Sequence, residues 1–120
     1  MHRYLILIIV GLISTLTSAQ TIRYISESGF EVNKDHAIFY QEIYKDCIEN
    51  NSVLVKIYRI NGKLVEIGYY DKNDLKNRNG IIREYDENGI IRYIKTYKTN
   101  KLNGELIGFY ESSQIRRKLS

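Results

Sequence analysis

Apolar and polar residues alternate most clearly in the second half of the chain, where short runs of β-branched and aromatic residues are separated by compact polar turns. Residues 53–59 (Val-Leu-Val-Lys-Ile-Tyr-Arg) read as a strand, Asn61-Gly62 as a turn, and residues 63–70 as a second strand carrying Leu64 and Ile67. The unit then recurs. Residues 81–86, the turn Glu87-Asn88-Gly89 and residues 90–97 form a second strand–turn–strand pattern, and residues 105–110 open a third. Asn-Gly between two strand-like runs predicts a tight hairpin, with a type I′ turn that places both central residues at positive φ.

Tyrosine marks the period. Tyr58 is followed by Tyr70, and Tyr85 by Tyr97, the same 12-residue step in each copy, while Tyr110 opens the third copy at the equivalent place. Polar stretches close the two complete units, residues 71–80 and the shorter 98–104, each ending in glycine, and both read as loops. In the third copy Ser113-Gln114 replaces Asn-Gly. Repetition at this period predicts an array of hairpins, each covering the apolar face of its neighbour.

The preceding segment is less regular. Residues 20–32 read as a short strand ending in the turn Glu27-Ser28-Gly29. Asn33 ahead of Asp35 suits the cap and acidic first turn of a short helix over residues 34–40. Asn50-Asn51 reads as another turn. The predicted fold is mainly β: antiparallel hairpin repeats in a meandering sheet, with a short N-terminal helix.

At the N-terminus, Met1-His2-Arg3 precedes an apolar run from Leu5 to Ile13 and then small residues up to Ala19. This has the form of a secretory signal peptide cleaved before Gln20, and the run is short for a spanning helix. The expected organisation is therefore a signal peptide over 1–19, an N-terminal cap over 20–52 and about two and a half hairpin repeats over 53–120. An exported location, periplasmic, cell-surface or secreted, follows from it. Cys47 is the single cysteine, so no disulfide can form within one chain, and a half-buried apolar role is its simplest reading.

Charge divides along the same boundary. Residues 20–52 carry three basic and six acidic side chains, whereas residues 53–120 carry 14 basic and eight acidic. The basic half suits a solvated surface or attraction to an acidic partner or anionic envelope.

The stretch Gly80-Ile81-Ile82-Arg83-Glu84-Tyr85-Asp86-Glu87-Asn88-Gly89, followed by Tyr97, Asn100-Lys101 and Asn103-Gly104, resembles the MORN-variant repeat. That pattern is a glycine, an aromatic strand, Tyr-x-x-Asn-Gly, a second strand ending in tyrosine and a polar connector. Tyr24 to Gly29 and residues 33–40 resemble the segment ahead of such repeats in exported proteins grouped as YwqK-family antitoxin components. Gly68 keeps the glycine of the second strand, whereas Lys95 replaces it in the other copy. The resemblance implies a non-enzymatic module without cofactors.

Candidate chemistry is sparse. His36 and Cys47 supply two metal ligands at most and carry no nucleophile signature. Asp71 and Asp74 surround a lysine and lack the spacing of a calcium loop. Glu84 and Asp86 share a strand face at a separation compatible with inverting glycoside hydrolysis, but they adjoin a turn where charged residues face water. Aromatics interleaved with Arg83, Arg92 and Lys95 are compatible with nucleic-acid stacking, which an exported chain disfavours.

The candidate binding residues are Tyr58, Tyr70, Tyr85, Arg92, Tyr97 and Tyr110, with core packing between hairpins as the competing role for the tyrosines. The expected partner is a protein or an envelope polymer. A non-catalytic exported binding module is the leading expectation. An antitoxin or immunity-type protein and a structural envelope element are the alternatives.

Overall fold

A computed structural model describes residues 20–109 and the strand Ile115–Leu119. The expected signal segment (1–19), Tyr110, the Ser113-Gln114 turn and the side chain of Cys47 lie outside the described residues. The strands are β1 (Gln20–Ile25), β2 (Phe39–Glu49), β3 (Ser52–Arg59), β4 (Leu64–Asp71), β5 (Asp74–Tyr85), β6 (Ile91–Lys98), β7 (Lys101–Phe109) and β8 (Ile115–Leu119). They form one antiparallel meander in chain order. The expected short helix is a single 3-10 turn at Lys34–His36. Asn33 joins it through its backbone carbonyl, which accepts from the His36 N–H at 2.9 Å, and its side chain makes no cap bond.

The Asn-Gly turns differ from the type I′ expectation. Only the glycines take positive φ, 92° at Gly62 and 79° at Gly89. Gly62 N–H donates to the Arg59 carbonyl, and Arg59 N–H to the Lys63 carbonyl, both at 2.8 Å. This frame encloses three residues (60–62), which selects a type I turn followed by a glycine bulge. Asp86, Gly89 and Ile90 repeat the pattern, as do Ser26, Gly29 and Phe30. The leader thus uses the same turn as the repeats, a third copy hidden by its different side chains.

At the opposite end of the sheet, Asn50 and Asn51 (φ 50° and 63°) and Thr99 and Asn100 (51° and 63°) supply paired left-handed residues, as a type I′ turn requires. The loops expected over 71–80 and 98–104 shrink to the tips Lys72-Asn73 and Thr99-Asn100. The remaining polar residues belong to β5 and β7, where backbone pairing across the hairpin outweighs low strand propensity. Asp71 pairs with Asp74 but Tyr70 pairs with Arg78, so residues 75–77 bulge from β5. In the next hairpin Lys98 pairs with Lys101 and Tyr97 with Leu102, leaving no such insertion.

Cross-strand partners point to the same side of a sheet, so the register chain Ile43–Val55–Gly68–Ile82 defines one face. This inner face holds the core: Ile43, Val53, Val55, Tyr70 and Ile82, with Ile57, Leu75 and Tyr97 packed against it. Burying each large side chain is worth about 1.5–3 kcal/mol. Ile82 is 0% exposed and lies against Gly68, where an added Cβ would sit 2.3 Å from Ile82 Cδ1. On the outer face Tyr24, Tyr40 and Tyr58 stand in register on three strands. The Tyr40 and Tyr58 rings stack at 4.9 Å, and Tyr24 meets Tyr40 at 6.3 Å in a tilted arrangement. Such aromatic pairs stabilise strand association by about 0.5–1.5 kcal/mol each.

Candidate functional site

The inner face carries an unusual polar group for a small sheet. Strand alternation puts Glu66, Gly68 and Tyr70 on the same side of β4, and Glu66 is only 5% exposed. A carboxylate this buried requires partners. Tyr70 Oη donates to Glu66 Oε2, and Arg78 Nη2 donates to Glu66 Oε1 at 3.1 Å. The guanidinium lies 5.3 Å from the Tyr97 ring centroid and 5.9 Å from that of Tyr70, between two adjacent hairpins. Among the described residues its Nε has no hydrogen-bond acceptor, and the two rings lie beside the guanidinium.

Burial, then the Glu66 charge and hydrogen bond, push the Tyr70 hydroxyl far above the ordinary phenol range. Burial opposes the charge on Arg78, but Tyr70 and Glu66 more than offset it and raise its pKa. The three groups form a neutral-phenol, carboxylate and guanidinium set that joins the hairpins and holds its protons firmly. Structural cement, not proton transfer, is the chemistry this geometry suits.

Next to this cluster the bulge at residues 75–77 folds over the inner face. Leu75 packs on the core and divides a groove into two hollows that share Arg23 and Leu75. One, about 340 Å³, is floored by the buried Ile43 and Val53, with the exposed Ile48, Lys45 and Lys72 around it. The other, about 480 Å³, is more polar and edged by Lys76, Arg78, Gln41 and Glu31. Together they carry five cations and one carboxylate. Arg23 is held by Glu31 and Gln41, each at 3.3 Å, and Arg78 by Glu66. Lys45, Lys72 and Lys76 make no ion pair among the described residues.

The predicted binding residues do not form one surface. Tyr70 belongs to the core at 5% exposure, which removes it from any exposed face. Tyr97 is half-buried beside it across Arg78. Tyr58 is on the outer face, half-buried, donating to Glu42 Oε1 at 2.9 Å. Burial, followed by that bond to Glu42, raises its pKa. Tyr85 and Arg92 flank the second glycine turn and are half-buried. Tyr110 lies outside the described residues.

The groove cations Arg23, Lys45, Lys72, Lys76 and Arg78 were not singled out by sequence reasoning, because they come from four separate segments. The extra length of 71–80 over 98–104 was their one visible sign.

The carboxylates weighed for catalysis have structural duties. Glu84 pairs with Lys95 at 2.9 Å, and Asp86 accepts from the N–H groups of Asn88 and Ile90. Asp71 and Asp74 accept from Asn73 and Lys76 N–H groups in the same way. Among the described residues, no group of three or more His, Cys, Asp or Glu is placed to hold a metal ion, and no helix is long and apolar enough to cross a membrane.

Residues 78–99 run from the end of the β5 bulge, through the second glycine turn, to the tip after β6. A MORN repeat variant is detected over these residues. MORN repeats are commonly associated with binding to membranes or other molecules, a non-catalytic role. The matched stretch contains Arg78 and Tyr97, so it supplies both sides of the contact between hairpins. No curated protein and no solved structure matches the chain at a significant level.

Proposed function

We propose that the chain is a non-catalytic, exported module that binds another macromolecule, a protein or an envelope component, through its inner face. The observation that carries this reading is the groove beside the MORN repeat, apolar at its floor and edged by five cations with one carboxylate. Lys45, Lys72 and Lys76, which make no ion pair among the described residues, attract an acidic partner and lose little solvation when they meet it at a rim. Export rests on the signal-like residues 1–19.

An immunity-type role is the second reading, favoured by the same groove, which would mask an acidic surface of a toxin in the manner suggested by the resemblance to the YwqK-family group. Both readings are tested by crosslinking in the native envelope followed by partner identification. Recovery of one effector protein would favour the immunity role, and recovery of envelope components the general module. Finding the protein in the cytosol with residues 1–19 retained would overturn export.

A further inference from the structure

Resting on the reading of the chain as a binding module, we propose that the inner-face groove docks a segment of a partner protein in which one large apolar side chain is flanked on both sides by acidic residues. The apolar hollow, floored by Ile43 and Val53 and flanked by Ile48, takes the apolar side chain, and Leu75 forms the wall between it and the polar hollow. Lysines that make no ion pair among the described residues line both hollows, Lys45 and Lys72 the first and Lys76 the second, while Arg23, shared by the two, is held by Glu31 and Gln41.

That distribution decides the chemistry of the occupant. An acyl chain carries a single charged end, which would leave the lysines at one hollow without a counter-charge. A peptide places a carboxylate on either side of an apolar residue, so the lysines of both hollows are matched while the apolar hollow is filled. Lys45, Lys72 and Lys76 steer an acidic segment, and the buried apolar contact holds it.

The test is selection of a random displayed peptide library on the full chain, followed by titration of the enriched peptides. The expected consensus is an apolar residue between acidic ones, with binding that weakens as salt rises. Reversing two exposed cations, Lys72→Glu with Lys76→Glu, should weaken binding about tenfold or more, whereas Arg83→Glu on the outer face should not change it. Matching thermal melts for both variants would show that the fold is kept.

A consensus without acidic residues, or equal binding to the Lys72→Glu/Lys76→Glu variant, would overturn the proposal. So would failure to enrich peptides combined with variant-sensitive binding to vesicles containing phosphatidylglycerol, which would make the groove a lipid site. If a native partner is captured equally by the parent and the reversed variant, the module reading stands and the groove assignment falls.

Discussion

The β4–β5 and β6–β7 hairpins share strand register, yet their inner faces hold different chemistry. Where the first places Glu66, Gly68, Tyr70 and Arg78, the second places Tyr93, Lys95, Tyr97 and Leu102. The first buries Glu66, Gly68 and Tyr70 and adds a three-residue bulge whose Leu75 covers part of β2 and β3. The second lacks the bulge beside its tip and shifts register only between Lys95 and Tyr97, and Tyr93 and Leu102 are 36% and 50% exposed. The repeat therefore specifies the frame, while the inward positions and the connector length specify what each unit does. Structural cohesion and the groove both concentrate in the first.

The largest expected difference is in packing. Ile82→Ala should cost about 3 kcal/mol because Ile82 is wholly enclosed, whereas Leu106→Ala at the matching, half-buried place in β7 should cost about 1 kcal/mol. Urea unfolding of the two variants measures this, and equal losses would break the comparison.

Giving the first unit the residue of the second tests the polar cluster. Arg78→Leu leaves Glu66 buried with only Tyr70 and should cost about 2 kcal/mol, a value reduced from that of a fully buried pair because Arg78 is one-third exposed. The double change Glu66→Leu with Arg78→Leu should recover most of the loss. Additive losses in the double variant would show that the two residues act independently.

Tyr70→Phe removes one bond to the buried carboxylate and should cost about 1–2 kcal/mol. It also bears on pH. The folded-state pKa of Tyr70 is raised, so its contribution is fully present below the ordinary phenol value of 10.0 and is lost as pH rises above it. Stability should decline above about pH 10 in the parent and decline less steeply in Tyr70→Phe. The glycine turns should give the smallest and most uniform effects. Gly29→Ala, Gly62→Ala and Gly89→Ala should each cost about 1 kcal/mol, because each glycine has positive φ but open space around it. A harmless change at Gly29 alone would separate the leader from the repeats.

The glycine turns and strands of the repeat half were legible because Asn-Gly and alternating β-branched residues are local signals. The first half of β5 was not, since Asp74, Lys76, Asn77 and Asn79 read as loop, and the strand is carried through this stretch by the pairing of Asp74 and Arg78 with β4. The burial of Glu66 left a weak trace: it shares the period-2 face of Gly68 and Tyr70, but nothing local names Arg78 as its partner. The tyrosine spacing marked real structural positions. It did not mark one surface, because Tyr58 stands on the outer face while Tyr70 and Tyr97 pack on the inner side.

The most direct test of the contrast between the units is amide chemical-shift mapping of the full chain as a selected acidic–apolar peptide is titrated in. Shifts should cluster at Arg23, Ile43, Leu75 and Lys76 around the first unit and leave Tyr93 and Leu102 of the second unchanged. Shifts centred on the second hairpin, or on the Tyr24–Tyr40–Tyr58 row of the outer face, would contradict the account.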